Sequence, residues 1–236
     1  MSEFLLELYS EEIPPQLQIN AREELKENFE KLLKEEKLEY KKINVYSSPT
    51  RLVAVIKDIP KKIKIPSKEI KGPKVGVFDD ILNSFIRAHD SSRREVFEKE
   101  NEKGKFYFIK TKPREVLAKE LLIKITLNSI ALLKWKKSMK WSDNNLLWGR
   151  PLRSILAVYN NEHLLFNYGH LKSKDSTYIE KNLILRLKKI KKFSEYQILL
   201  KKNNIILDQE ERKLIIISKF KKIFENKNFV ENFNLK

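Results

Sequence analysis

Residues 133–166 decide how the rest of the chain is interpreted, and they read LKWKKSMKWSDNNLLWGRPLRSILAVYNNEHLLF. All three tryptophans of the protein lie in this segment, at Trp135, Trp141 and Trp148. The cations interleaved with them are Lys134, Lys136, Lys137, Lys140, Arg150 and Arg153. Aromatic rings among cations are typical of a surface that stacks nucleic-acid bases. The same spacing also suits strands that fix a basic surface to a core through large side chains. The pattern alone leaves both interpretations open.

The composition indicates a folded protein of one large domain or two small ones. The chain has 236 residues, of which 41% are hydrophobic and 10% aromatic, so it can bury a sizeable core. No run approaches the roughly eighteen apolar residues that span a bilayer, and the acidic N-terminus lacks the pattern of an export signal. Cysteine is absent. We therefore expect a cytoplasmic protein with no membrane partner, no disulfide and no thiolate metal site.

The formal net charge of +17 favours a nucleic-acid partner. Only ten of the 49 basic residues are arginines, and an AT-rich genome gives any protein such a lysine-rich profile, so the total charge is a weak argument. Its distribution is more informative, because residues 1–40 carry eleven acids and five bases. An acidic N-terminal region on a basic chain predicts two surfaces with different partners. The basic residues 61–71 could be a phosphate-binding arm, but we favour a solvated sheet edge.

Apolar periodicity predicts an α+β fold in which amphipathic helices cover an antiparallel sheet and hairpins. Strands are expected at 3–9, 45–46 with 51–56, 61–66, 96–100 with 105–110, and 155–159 with 163–168. Helices are expected from Pro14 to about Lys37, from Phe78 to His89 and from Pro113 to Leu133, with two more capped by Ser194 and Asp208. We expect a loop at 71–73.

The composition changes after Tyr178. Residues 183–192 mix apolar and basic side chains without a clear period. We therefore predict an α+β domain over 1–178, followed by a short, basic and mainly helical segment over 179–236 that starts a further domain.

The sequence contains no recognisable catalytic or metal-binding constellation. Its histidines lie far apart, at His89, His163 and His170, which disfavours a zinc site. Its five glycines stand singly, so there is no glycine-rich phosphate loop. Glu7, Glu11 and Glu12 could serve as acid–base or magnesium ligands. We favour a simpler role, because acids beside a helix start are stabilised by the helix dipole.

Four ordered blocks of residues carry a resemblance to a known family. They are EFLLEL (3–8) with EEIP (11–14), SPTRLVAV (48–55), KGP (71–73) with FD (78–79) and FIRA (85–88), and KSMKW (137–141) with WGRPLRSI (148–155). In this order they resemble the N-terminal portion of the bacterial glycyl-tRNA synthetase beta subunit. A weaker block, DQEER (208–212), resembles a later part of that family. Residues 178–182 depart from it, because the family has a Gly-His-Arg-Phe-like block there.

The resemblance implies a specific role. In this family a separate alpha subunit holds the aminoacylation site for glycine and Mg-ATP, whereas the beta subunit binds tRNA(Gly) and joins alpha in an α2β2 heterotetramer. The resemblance therefore implies that this chain binds no cofactor, contains no catalytic residue and is inactive alone. It also implies that the anticodon-binding and HD-like domains of the family would follow residue 236, so we expect this chain to be an N-terminal piece.

From the resemblance and the charge pattern we expect contacts to tRNA phosphates from seven side chains: Lys134, Lys136, Lys137, Lys140, Arg150, Arg153 and Arg51. The tryptophans are expected to be core residues, because a large ring usually buries most of its area. Two alternatives stay open. The chain could be a non-enzymatic module that only docks on the alpha subunit through its acidic N-terminal region. It could also be an inactive truncated remnant, an interpretation supported by the unpatterned residues 179–192.

Overall fold

The chain contains both helices and strands in the computed structural model, which describes residues 2–65, 67–101, 104–111, 113–140, 146–181 and 184–224. In chain order they are β1 (Glu3–Ser10), α1 (Pro15–Glu35), β2 (Lys42–Ser48), β3 (Arg51–Lys57), β4 (Lys62–Ile65), β5 (Glu69–Lys74), α2 (Asp79–Ala88), a 3-10 turn (Arg93–Glu95), β6 (Val96–Asn101), β7 (Gly104–Lys110), β8 (Arg114–Leu117), α3 (Ala118–Ala131), β9 (Leu152–Tyr159), β10 (Glu162–His163), β11 (Asn167–Tyr168), β12 (Leu171–Lys172), β13 (Ser176–Lys181), β14 (Ile184–Lys189), α4 (Phe193–Lys202) and α5 (Gln209–Phe224). The strands pair as antiparallel ladders. The predicted α+β class is confirmed.

The chain forms two compact units. One, here the sheet unit, combines residues 1–61 with the chain from Ala118 onward, and the other, here the inserted unit, is Lys62–Leu117. The sheet unit is built on a five-stranded sheet in the order β10-β9-β1-β3-β2. Strand β1 pairs with β3 on one side and with β9 on the other. Its central position explains why every residue from Phe4 to Ser10 is buried.

Helix α1 covers one face of the main sheet. Pro15 stands at the start of the helix, where a missing N–H costs nothing. Its buried residues include Leu25, Phe29 and Leu33, and their spacing of four places them on one stripe. The ring of Phe29 meets that of Phe4 edge to face, with 6.1 Å between centroids. Burying such a side chain contributes about 1.5–3 kcal/mol, so this stripe fixes α1 on the sheet.

The C-terminal segment packs on the opposite face of the same sheet. Leu5 and Val53 share a buried cluster with Ile179, Ile190 and further residues of α4. Strand β13 pairs with β14 continuously from Ser176 to Lys181. The chain position near Tyr178, where we expected a domain boundary, therefore lies within one core. Residues 179–181 and 184–189 are strands although the sequence there has no clear period, because ladder pairing and burial of Ile179 outweigh the missing local pattern.

The inserted unit contains a three-stranded sheet in the order β5-β7-β6 and a separate ladder of β4 with β8. Two predictions were wrong in this unit. Residues 71–73 belong to β5 and not to a loop, because a bulge between Lys71 and Lys74 keeps the strand paired with β7. The helix expected from Pro113 begins only at Ala118, because residues 114–117 pair with β4.

Candidate nucleic-acid interface

The predicted basic segment leaves the end of α3 and is fixed at its start. Leu133 is buried, and the backbone N–H of Lys134 donates to Oε2 of Glu24 on α1 over 2.8 Å. Further along, Met139 and Trp148 form an isolated antiparallel bridge, with 2.9 Å from the Met139 nitrogen to the Trp148 oxygen. The segment is thus held at both ends by backbone contacts.

The tryptophans bind this segment to the core. Trp148 is 1% exposed, and its ring lies 4.9 Å from that of the half-buried Trp135, with 57° between the planes. Glycine at position 149 allows this close ring contact, because a Cβ there would lie 2.3 Å from Cε3 of Trp135. The expectation of a core tryptophan is confirmed for Trp148. Trp141 lies outside the described residues.

The lysines of the segment face solvent. Lys134, Lys136, Lys137 and Lys140 are all exposed, within seven consecutive positions. We call residues 134–140 the lysine segment. Four exposed ammonium groups held by a backbone fixed at both ends suit a phosphate backbone, because they need little further ordering to bind it.

The two arginines after Gly149 differ in accessibility. Arg153 lies on β9 between the buried Leu152 and Ser154 and is exposed, as strand alternation requires. Arg150 is half-buried, and its Nη1 donates to the carbonyl oxygen of Gly149 over 3.1 Å. Arg153 is therefore available to a ligand along its length, whereas Arg150 presents only part of its guanidinium group.

Arg51 is placed differently from the other predicted residues. It is 4% exposed, its Nε donates to Oε2 of Glu7 over 3.1 Å, and its Nη2 donates to the carbonyl oxygen of Tyr178. Its guanidinium group also lies over the Tyr9 ring, 4.9 Å from the centroid. A buried guanidinium group with these partners does not reach a phosphate at the surface. The burial argues against Arg51 as a tRNA contact.

Glu7 is the centre of a buried polar network that the sequence reasoning missed. Besides Arg51, its carboxylate accepts from Thr177 Oγ1 over 2.6 Å and from the hydroxyl of Tyr196. Burial, and next the charge of Glu7, raise the pKa of Tyr196 well above its ordinary value, so the tyrosine stays a donor. The one available signal was a carboxylate in the middle of an apolar strand, because such a group needs buried partners.

The acids considered for catalysis do not converge. Glu11 and Glu12 are exposed, and the first turn of α1 itself holds no acid, so their expected contact with the helix dipole is indirect. Among the residues that the structure describes, no group of three or more histidine, aspartate or glutamate side chains could hold a metal ion. Nε2 of His163 instead lies 3.3 Å from the hydroxyl of Ser173.

Comparison with known proteins agrees with the blocks recognised in the sequence. Residues 4–234 match the model of the family described as glycyl-tRNA synthetase beta subunit. The chain is 36% identical over 218 residues to the glycine–tRNA ligase beta subunit of Rickettsia canadensis, and 35% identical over 216 residues to that of Rickettsia prowazekii. Each match covers 92% of this chain but only 32% of the relative.

The chain thus spans about a third of the length of these curated relatives. In the described part of the chain, no helix is both long and apolar enough to cross a membrane. The family match extends over nearly the whole sequence and includes the lysine segment, the tryptophan pair and the buried network. The chain therefore belongs to the glycyl-tRNA synthetase beta subunit family.

Proposed function

We propose that this chain contributes tRNA(Gly) binding and assembly with a catalytic alpha subunit, for ATP-dependent attachment of glycine to tRNA. The observation that carries the tRNA contact is the lysine segment, whose four lysines are exposed on a backbone held by Leu133 and Trp148. A surface that presents cations in a fixed arrangement contacts phosphates in any sequence and positions the nucleic acid. Arg153 extends this surface along β9, and Arg150 borders it.

The alpha subunit is the proposed source of the chemistry. Mg-ATP and glycine would be bound there, within a cytoplasmic α2β2 heterotetramer, and the isolated chain would be inactive. The support for this division of labour is the family match, which is to a beta subunit.

The proposed surface for the alpha subunit is the outer side of α1. Glu23, Glu27 and Glu35 are exposed there, and they contribute to the acidic character of the N-terminal region. Complementary charge steers association and selects the partner. An acidic N-terminal region and a basic segment on one chain are consistent with a subunit that binds a protein and an RNA at the same time.

The experiment that tests the proposal uses the full chain with tRNA(Gly), the alpha subunit, glycine and ATP. The chain alone should bind tRNA and form no glycyl-tRNA, and it should co-purify with the alpha subunit when RNA has been removed by nuclease. Glycyl-tRNA formed by the chain alone would contradict the division of labour. Failure to bind either partner would contradict the proposal as a whole.

The two alternatives are separated by the same measurements. Binding of the alpha subunit without any affinity for tRNA would support an interaction module that acts only through α1. The remnant interpretation depended on residues 179–192. Ile179 and Ile190 of this segment are 3% exposed and lie in the main core, so the feature that favoured a remnant is a folded part of the protein.

A further inference from the structure

The three-stranded sheet of the inserted unit has two chemically different faces. Directly paired residues of neighbouring strands point to the same side of a sheet. Val96 pairs with Ile109, and both belong to the cluster that packs against Leu82 and Ile86 of α2. These residues mark the face covered by α2.

The opposite face carries aromatic rings and lysines. Phe97 and Lys71 both pair with Phe108, and Lys99 and Lys74 both pair with Phe106, so none of them is on the α2 side. We call this the phenylalanine face, and its members are Glu69, Lys71, Lys74, Phe97, Lys99, Phe106, Phe108 and Lys110. Four lysines and one carboxylate give it a positive charge.

The acids of β6 lie on the α2 side of the sheet, opposite the phenylalanine face. Strand β6 reads VFEKEN, and its acids Glu98 and Glu100 alternate with Phe97 and Lys99, so they fall on the α2 side. Strand β5 contains a bulge, so that the step from Lys71 to Lys74 matches the shorter step from Phe108 to Phe106 in β7. The extra residue places the side chains of Lys71 and Lys74 on the same side of the sheet, which is the phenylalanine face. Regular pairing would have turned Lys74 to the other side.

Two of the three rings are stacked on one another. Phe97 and Phe108 are 5.9 Å apart between centroids with only 26° between their planes. All three phenylalanines keep part of their area accessible. The Nζ of Lys71 lies 3.5 Å from the Phe106 centroid, and that of Lys99 lies 5.8 Å from the Phe108 centroid. Both ammonium groups lie over ring faces. That of Lys99 is also paired with Glu69 over 2.7 Å, whereas that of Lys71 is on a flexible stem that can move aside.

We infer that the phenylalanine face binds unpaired nucleotides of RNA, whose bases stack on Phe106 and Phe108 while their phosphates meet Lys71 and Lys74. Rings of this kind accept any base, and lysines beside them follow the backbone between successive bases. Duplex RNA hides its bases and would use only the lysines. An acidic peptide would also use the lysines but would gain nothing from aligned rings. The inference rests on the proposed function in one respect, which is that the ligand is RNA.

The test uses the full chain and a fluorescent single-stranded RNA of about ten nucleotides, compared with the same RNA in a duplex. Replacing both Phe106→Leu and Phe108→Leu should weaken single-strand binding on the order of tenfold or more, because each base no longer has a ring to stack on. Duplex binding should not change. The control is Phe78→Leu, which removes an 84% exposed ring elsewhere in the inserted unit and should leave both affinities as in the wild type.

Two further variants keep the test decisive if the leucine pair fails to fold. The pair Phe106→Tyr and Phe108→Tyr retains the rings and should retain single-strand binding. The pair Lys71→Gln and Lys74→Gln should reduce the salt dependence of single-strand binding. Unchanged single-strand affinity in the folded leucine pair, or an equal loss of duplex affinity in that pair, would overturn the inference. If the leucine pair keeps full single-strand affinity while substitution of the lysine segment abolishes tRNA binding, this inference fails and the proposed function stands.

Discussion

The Nε of Arg51 lies 3.1 Å from Oε2 of Glu7, and neither side chain reaches solvent to more than 5% of its area. Thr177 and Tyr196 donate to the same carboxylate, so the network joins β1 and β3 to β13 and α4. It fixes the chain that follows Thr177 on the main sheet. The Glu7–Arg51 pair therefore helps to hold Thr177 and Tyr178 in place.

Arg51→Met should destabilise the sheet unit by about 3–5 kcal/mol, because it leaves the charge of Glu7 buried without its cation. Urea unfolding of wild type and variant measures the difference. The matched control is Arg153→Met, which removes an exposed arginine from a neighbouring strand and should change stability by no more than about 0.5 kcal/mol.

The Arg51–Glu7 pair also predicts that substitutions of the two residues have non-additive effects on the free energy of unfolding. In a Glu7→Leu background the cost of Arg51→Met should fall sharply, since the unpaired carboxylate that causes most of it is gone. Equal costs of Arg51→Met in the two backgrounds would show that the guanidinium group acts through packing alone.

Tyr196 makes stability depend on alkaline pH. Burial, followed by the charge of Glu7, raises the pKa of its hydroxyl in the folded state, while in the unfolded chain it titrates at about 10. Above that pH the unfolded chain loses a proton that the folded chain keeps, so unfolding becomes more favourable. The contribution is complete below about pH 10 and is lost as pH rises toward the folded pKa.

Tyr196→Phe isolates this effect from the titration of the lysines. The variant should be less stable than wild type at neutral pH, because Glu7 loses a donor. The gap between the two should narrow steadily above about pH 10, as followed by urea unfolding at a series of pH values. A constant gap through that range would mean that Tyr196 ionises equally easily in both states.

Gly149→Ala should loosen the attachment of the lysine segment. The added Cβ would lie 2.3 Å from Trp135, and forcing such a close approach costs about 1–3 kcal/mol. Thermal unfolding of the variant measures the decrease in stability. The loss of stability caused by Gly149→Ala should be smaller in a Trp135→Leu background, because the clashing ring is absent. If Gly149→Ala costs as much there as in the wild type, the glycine is required for a reason other than the tryptophan.

Local pattern predicted those elements whose partners are close in sequence or whose periodicity is strong. Helix α1 is an example, because Leu25, Phe29 and Leu33 define its stripe by themselves. The pattern failed where a distant partner decides the structure. Residues 114–117 look helical but pair with β4 across the inserted unit. Arg51 looked like a surface cation because its partner Glu7 is 44 positions away.

The sequence likewise predicted only part of the candidate nucleic-acid surfaces. The exposure of Lys134, Lys136, Lys137 and Lys140 is what their charge predicts. The phenylalanine face could not be found in advance, because the bulge that aims Lys71 and Lys74 at one side depends on the pairing of β5 with β7. Judged by the local sequence alone, residues 71–73 (KGP) are typical of a turn.

Glu23 and Glu27, two exposed acids of α1, are the proposed contacts for alpha-subunit assembly. Combined Glu23→Lys and Glu27→Lys substitutions reverse the charge of two exposed positions one turn apart, and they should abolish co-purification of the alpha subunit because like charges then oppose each other. tRNA binding should persist. The control reverses Glu98 and Glu100 of the inserted unit, which are equally exposed, and it should leave assembly unchanged. Full co-purification by the α1 variant would place the interface elsewhere.

The salt dependence of tRNA(Gly) binding tests the central claim most directly. Lys134, Lys136, Lys137 and Lys140 are replaced together by glutamine, and the comparison variant has glutamine at four other exposed lysines, Lys31, Lys34, Lys41 and Lys119. If the lysine segment meets phosphates, the slope of log K against log salt should flatten by about 0.7–0.9 for each phosphate that is no longer neutralised, while the comparison variant keeps a slope close to that of the wild type. An unchanged slope in the first variant, or equal flattening in both, would contradict the account.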